Sequence, residues 1–457
     1  MIIINPATEQ EITTLAEETP QNVADRLQTL RYGQKAWQAL GVSKRLEIIT
    51  KFGELIKENT EELARILTSE TGKPIQQSRN EINGAHNRII HLRANAEKWL
   101  ADEKLVTEGQ TLESIEYEPL GVVANISAWN FPYNVGYNVF LYALVAGNAV
   151  LYKPSEFASL TGLEFEKYLH KAGVPQNVFM IAIGGKEVGQ AILEMDFDGY
   201  FFTGSYGTGK HIIQTVAPKM VPVQLELGGK DPLYVMDDVA DIKQAAINAA
   251  EGAFYNNGQS CCAVERIYVH QKIYDEFVKE FVKEVKAYKV GDPMDQDTFI
   301  GAVTRPQQIE VLDDQINDAI DKGATVLTGG KRLAGAGYFF EPAVLVDVSH
   351  DMKIMRDESF GPVIGIQKVG SDGEAVELMK DTAYGLTSAV FSSDQNRATA
   401  VLSLMNTGTV YWNCCDRVSP NLPWSGRGNS GVGSTLSSQG IRAFVQPKAW
   451  QLRPWTK

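Results

Sequence analysis

The sequence predicts an α/β protein with two doubly wound parallel sheets and a short β arm, and three observations lead there. From Gly121 onward, short β-rich runs at 122–124, 149–152, 178–181, 200–202 and 223–225 alternate with helical patterns. Strands alternating with helices argue for a parallel sheet covered on both faces. A second alternating set follows at 233–235, 266–269, 363–366 and 389–391, which makes a second α/β unit. Between the first helices and the first set, 113–118 alternates Glu with apolar or aromatic residues before Pro119, as an exposed hairpin strand does.

In chain order, the first hundred residues are helical and charged, with clear periodicity at 44–59, 61–70 and 80–100, and read as covering helices. A break at Thr107-Glu108-Gly109-Gln110 precedes the hairpin strand, which is expected to leave the domain as an arm. The most apolar stretch, 135–152, is interrupted by Asn138, Gly147 and Asn148, so it predicts a buried helix followed by a strand and not a membrane span. The hinge between the two α/β units is expected at Gly228-Gly229.

Composition narrows the function classes. The 457 residues exceed one ordinary domain, and 44% hydrophobic with 22% charged residues is the balance of a globular protein. A net charge of −13 argues against nucleic acid or an anionic membrane as the main partner. The start, Met1-Ile2-Ile3-Ile4-Asn5-Pro6, has too short an apolar run for a signal peptide, so a cytoplasmic location is expected. The four cysteines form two adjacent pairs, Cys261-Cys262 and Cys414-Cys415, without the spacing of a zinc site, and no metal is expected. Cys262, Cys414 and Cys415 read as small buried hydrophobes in a reducing compartment.

Leu225-Glu226-Leu227-Gly228-Gly229-Lys230 and Gly258-Gln259-Ser260-Cys261 together read as a mechanism: a thiolate nucleophile and a carboxylate base. Phe202-Thr203-Gly204-Ser205-Tyr206-Gly207-Thr208-Gly209-Lys210 places glycines between a strand and a helix, either to face a phosphate or simply to turn tightly. It is not a P-loop, because His211 stands where Ser or Thr must hold magnesium. Lys153-Pro154-Ser155-Glu156, just beyond a strand, has donors and acceptors for an adenosine ribose, though charges there are often only solvated. In Trp129-Asn130-Phe131-Pro132 the amide either donates to a developing oxyanion or caps a turn. Glu358-Ser359-Phe360-Gly361-Pro362 offers an acceptor and a flat ring before a strand, and alone reads better as a turn. None of the six histidines lies near Cys261 in sequence, so a Cys-His hydrolase has no support.

Taken in order, with Pro423-Trp424-Ser425-Gly426 before Ser430-Gly431, these motifs resemble the aldehyde dehydrogenase superfamily along essentially the whole chain. The resemblance implies two Rossmann-like domains and an oligomerisation arm: dinucleotide binding by 1–104 and 120–227, catalysis by 228–428, and the arm from 105–119 and 429–457. It implies a homodimer or homotetramer and NAD as cofactor, with NADP as the second candidate. It also implies that Cys261 attacks an aldehyde carbon, that Asn130 with the Cys261 N–H holds the oxyanion, and that Glu226 activates the water that hydrolyses the thioester. Cofactor contacts are implied for Ser127, Trp129, Lys153, Ser155, Glu156, Gly185, Gly204, Ser205, Thr208, Leu227, Gly228, Glu358 and Phe360. A substrate pocket is implied at Phe131, Tyr133, Asn138, Tyr255, Ser260 and Cys262. Glu226 favours hydrolysis to a free acid over transfer of the acyl group. Glu156 favours NAD, since it would repel a 2′-phosphate.

Two departures bear on substrate. Where succinate-semialdehyde dehydrogenases of the family resemble one another in carrying arginines, this chain has Asn138 and Tyr255, so an uncharged aliphatic or aromatic aldehyde is expected and succinic semialdehyde is the alternative. Where many members carry a Glu after the last motif, this chain has Thr435, which puts a proton relay there in doubt. The alternative of another class is a non-catalytic protein retaining the fold, and Cys261, Glu226 and Asn130 together argue against it.

Overall fold

The computed structural model describes residues 1–105 and 111–455, so the break expected at 107–110 lies outside the described residues. Two α/β units are present, each built on a largely parallel sheet. In the first, the strands run in the spatial order Gly431–Val432, Val223–Glu226, Gly199–Thr203, Val122–Ile126, Ala149–Lys153, Phe179–Ile181. The central strand Ala149–Lys153 is buried along its whole length, as a strand covered on both faces must be, which explains its nearly unbroken apolar sequence. From Val122–Ile126 the chain winds outward to Phe179–Ile181, then returns to lay Gly199–Thr203 on the opposite side. The winding reverses between Val122–Ile126 and Gly199–Thr203, and a crevice opens beyond their carboxyl ends, where open α/β sheets bind ligands.

The covering helices form for local reasons. Pro20–Ala39 begins with Pro at its first turn and a reciprocal cap between Thr19 and Asn22. Thr60–Thr71 stops on Gly72 at φ 76°, and Ile75–Trp99 starts directly after Pro74. The apolar stretch after Pro132 is helical, with a π turn at Tyr137–Leu141 that includes Asn138, and ends on Gly147 (φ 102°) before Ala149–Lys153. Among the described residues no helix is long and apolar enough to cross a membrane.

The second sheet runs Thr325–Thr328, Ala343–Val346, Val363–Val369, Val264–His270, Asp231–Val235, Thr387–Phe391, Thr409–Trp412, with only the first pair antiparallel. Separate apolar cores lie on its two faces. Thr325–Thr328, Ala343–Val346 and Thr409–Trp412 go beyond the strands read from the sequence; each has four residues, too few to show a period. Residues 227–230 link Val223–Glu226 directly to Asp231–Val235, and the chain returns to the first sheet between Thr409–Trp412 and Gly431–Val432. The carboxyl edge of the first sheet therefore abuts the amino edge of the second.

The arm is smaller than expected at its C-terminal end. Val445–Leu452 pairs antiparallel with Leu112–Pro119, and Glu103–Lys104 adds a third short strand. Gly431–Val432, assigned to the arm from sequence, instead pairs with Leu225 and Glu226 in the first sheet. Leu436, Ile441 and Phe444 likewise join the first unit's core, with the Phe444 ring stacked on Phe201 at 4.3 Å. Burial of these apolar side chains ties 431–444 to the body, leaving Val445–Leu452 as the exposed strand.

Candidate active site

Cys261 is delivered by a turn that only particular residues can form. The helix Ile242–Phe254 ends, and Asn256 (φ 54°), Asn257 (φ 58°) and Gly258 (φ 70°) follow in left-handed conformation, which Asn and Gly tolerate best. Side-chain amides hold it there. Asn256 N–H donates to Gln77 Oε1 (2.8 Å), while Asn257 accepts from Gly301 N–H (2.7 Å) and donates to the Ala302 carbonyl (2.9 Å). A Cβ on Gly258 would lie 2.3 Å from the Gly361 carbonyl oxygen, so no other residue fits.

Asn130 is tied into the same turn. Its Nδ2 donates to the Gln259 carbonyl (3.1 Å), and its own carbonyl accepts from Asn256 Nδ2 (3.1 Å). One amide hydrogen is thus spent on orientation, and the second remains for a ligand. Beneath, Glu81 Oε1 accepts from Tyr133 N–H (2.9 Å), its other oxygen pairs with the buried Lys73, and Lys73 lies 3.9 Å from the Phe131 ring centre. A fully buried ion pair therefore braces the turn that carries Asn130.

Two cavities meet at Cys261. The smaller, of about 230 Å³, lies over the crevice of the first sheet, and the larger, of about 680 Å³, opens on the opposite side. Both are bounded by Cys261, Asn130 and Asn138. Glu226, the last residue of Val223–Glu226, bounds only the smaller. Its Oε1 accepts from Gln224 Nε2 (3.1 Å) and its Oε2 has no partner among the described residues. Burial pushes its carboxyl well above the ordinary range, against the weaker pull of Gln224 and Thr435.

The smaller cavity has the features of a dinucleotide site. Ser205 caps the helix Tyr206–Val216 and donates to Thr208 Oγ1 (3.0 Å), with Gly204 at the strand end beside it. Opposite, the Phe360 ring meets Trp129 edge to face at 5.5 Å. Glu265 fixes that loop, accepting from Ser359 N–H (2.8 Å) and Phe360 N–H (3.0 Å), and is itself paired with Lys230 (2.6 Å). Glu358 accepts from Gly229 N–H (3.1 Å), and a Cβ on Gly228 would come within 2.1 Å of its carboxylate, so a larger residue there would displace the Glu358 side chain. Burial, then the nearby Glu265, pushes Glu358 up to about 8. Lys153, 5% exposed, donates among the described residues to its neighbour's carbonyl, Pro154 O (3.2 Å), leaving a buried ammonium with donors to spare. The residues present fit NAD or NADP.

The aldehyde dehydrogenase family model matches residues 1–450. The chain belongs to the aldehyde dehydrogenase family. It is an enzyme, an oxidoreductase acting on aldehydes with NAD or NADP. It is 36% identical over 455 residues to an aldehyde dehydrogenase of Emericella nidulans, covering 99% of this chain and 91% of that one. It is 34% identical over 449 residues to a succinate-semialdehyde dehydrogenase [NADP(+)] of Deinococcus radiodurans, covering 97% and 93%. The solved structure of an NAD-dependent aldehyde dehydrogenase from Sinorhizobium meliloti superposes with a TM-score of 0.96 at 30% identity, covering all of this chain and 92% of that one.

The dehydrogenase distributes its remaining expected site residues unevenly. Trp129, Gly204, Ser205, Leu227, Gly228, Glu358 and Phe360 bound the smaller cavity. Ser127, Lys153, Ser155, Glu156, Gly185 and Thr208 lie outside it, at or just beyond the carboxyl ends of the same sheet's strands. Gly185 turns its N–H to Glu17 (3.2 Å). Phe131, Asn138, Tyr255, Ser260 and Cys262 bound the larger cavity. Tyr133 does not: it is wholly buried, its ring 4.8 Å from Phe165, because the second residue of the helix Pro132–Gly136 turns inward.

The structure adds residues the sequence reading passed over. Asp416, half-buried against the residues that flank Cys261, accepts from Ser260 Oγ (2.9 Å) and Cys262 Sγ (3.0 Å). Contact with the Cys261 sulfur, burial and Asp416 together push the Cys262 thiol well up. Arg88 bounds the larger cavity and donates through Nε to Asn138 Oδ1 (2.7 Å). The lack of an arginine at Asn138 had suggested an uncharged substrate, yet a cation reaches that very side chain from another helix. A weak signal existed: Asn80, Gly84 and Arg88 repeat at helical spacing opposite buried Ile82, Ala85 and Ile89.

Proposed function

We propose that the enzyme oxidises an aldehyde to the free carboxylic acid with NAD in preference to NADP, through a covalent Cys261 thioester. The observation that carries this reading is the position of Cys261 where the two cavities meet, with Asn130 beside both and Glu226 in one. A Cys261 thiolate adds to the carbonyl carbon, and the displaced electron pair rests on an oxygen held by the free Asn130 N–H and the Cys261 backbone N–H. The bound nicotinamide supplies the hydride acceptor. Glu226 then takes a proton from water as the water adds to the thioester carbon, and the C–S bond breaks to return the thiolate and release the acid.

The preference for NAD rests on Glu156. Ser155 Oγ donates to its carboxylate (3.0 Å), which holds a negative charge close to the ribose-binding lysine and opposes a 2′-phosphate. The exposed strand Val445–Leu452 serves to join subunits into a homodimer or homotetramer, and the free thiols suit the reducing cytoplasm. Cys261→Ala tests the central claim: aldehyde-dependent formation of reduced cofactor should disappear for hexanal, benzaldehyde, betaine aldehyde and succinic semialdehyde alike while the fold survives. Retained turnover would refute the covalent route. Absence of turnover in the wild type with any aldehyde would favour a non-catalytic binding role.

A further inference from the structure

The wall of the larger cavity holds a cation with no anion of its own. Arg88 is 5% exposed, and its one hydrogen bond among the described residues runs from Nε to Asn138 Oδ1 (2.7 Å). That bond fixes the guanidinium plane and leaves both terminal nitrogens without a protein partner among the described residues. Three acids bound the cavity; Glu251 is exposed and forms no ion pair with Arg88 among the described residues, and the other two are otherwise engaged. Glu81 is ion-paired with Lys73 and accepts from Tyr133 N–H, and Asp416 accepts from Ser260 and Cys262. A buried, unpaired charge is costly, and stable proteins retain one mainly where a ligand completes it.

The surroundings match a polar ligand. Asn80, Asn83 and Asn87 stand on the same helix as Arg88 along the cavity, and Asn134 and Asn138 face them from the helical segment after Pro132. Asn138 bounds both cavities and so connects the Arg88 guanidinium to the space around the Cys261 sulfur. An aliphatic or aryl tail would leave these amides and the guanidinium without partners, whereas a carboxylate accepts two parallel N–H bonds from one guanidinium.

We infer that Arg88 is a specificity-determining residue, and that the substrate is a short aldehyde carrying a carboxylate at the end remote from its carbonyl. This rests on the aldehyde-oxidising reading above. Of the two arginines that bound the cavity, Arg417 is exposed and Arg88 is buried, and the planar edge of the Arg88 guanidinium matches a carboxylate. Asn138 acts as a positioning residue by holding that edge toward the cavity.

The test compares the full-length enzyme on succinic semialdehyde and on its methyl ester, which keeps the aldehyde and removes the charge. The wild type should favour the acid in kcat/KM by roughly tenfold or more, the worth of a charge-assisted contact. Arg88→Gln should lower that ratio toward one, chiefly through KM for the acid, and Arg88→Lys should recover part of it. A wild-type ratio of one or below, or an unchanged ratio in Arg88→Gln, would overturn the proposal; the latter is what a purely structural arginine predicts. A measurement needing no variant uses alkylation of wild-type Cys261 by iodoacetamide. Succinate should slow it and neutral succinamide should not; equal effects would also overturn the anion site. If succinate protects but neither aldehyde is oxidised, the anion site stands and the aldehyde reading fails.

Discussion

Glu226→Gln isolates the second half-reaction. The carboxylate sits in a buried position with no ion pair among the described residues, and its bonded oxygen accepts from Gln224 Nε2 (3.1 Å). An amide of the same shape can still present an oxygen to that donor. It also carries no charge to desolvate, so the replacement should leave stability unchanged or slightly raised. What it removes is the proton acceptor. A positioned general base contributes about 10²–10⁴ in rate, or roughly 3–5 kcal/mol at about 1.4 kcal/mol per tenfold. Formation of the thioester does not need that base, so rapid mixing of the variant with cofactor and aldehyde should give a burst of about one reduced cofactor per Cys261. Steady-state turnover after the burst should fall by the full factor. The assay is absorbance of the reduced nicotinamide on the millisecond-to-second scale. Loss of the burst together with turnover would mean that Glu226 activates Cys261 instead. Steady-state turnover within about threefold of wild type would mean that it is not the base.

Two further outcomes follow from the same geometry. Because burial raises the Glu226 carboxyl, the residue is protonated and inert as a base until pH exceeds that raised value. The hydrolytic rate should therefore rise with pH through a midpoint well above the ordinary carboxylate value of about 4.3, and then level off. A kcat profile of the wild type flat between about pH 5 and 9, with hydrolysis rate-limiting, would contradict this. Asn130→Ala should lower kcat by about 10²–10³ with little change in KM, as expected for a donor used mainly in the transition state. A change in KM alone would assign Asn130 to ground-state binding.

Much of the architecture was legible because it is written in local periodicity. The runs at 122–124, 149–152 and 266–269 lie within observed strands, since parallel strands covered on both faces are continuously apolar. The helices read at 44–59 and 61–70 match the observed Gly41–Glu58 and Thr60–Thr71 to within three residues at either end. Misreadings came where the chain's destination depends on distant partners. Residues 431–444 look like the start of an arm until Gly431–Val432 pairs with Leu225 and Glu226 and Phe444 stacks on Phe201. Tyr133 is aromatic beside the Asn130 motif, but only the start of the helix at Pro132 decides that it points into the core.

By itself the sequence supplied the proposal for the reacting groups and their order, Asn130, Glu226 and Cys261, with the glycines at 228, 229 and 258 that allow close approach between segments. It also determined the α/β class, because alternation and turn chemistry are properties of neighbouring residues. Only the tertiary structure decided which side of Cys261 each group faces, that Glu226 is buried in the smaller cavity, and that Arg88 comes from a covering helix to Asn138 in the larger one. Burial and pairing are set by side chains far apart along the chain. A buried charge without a partner therefore cannot be recognised until the fold shows which anions are already taken.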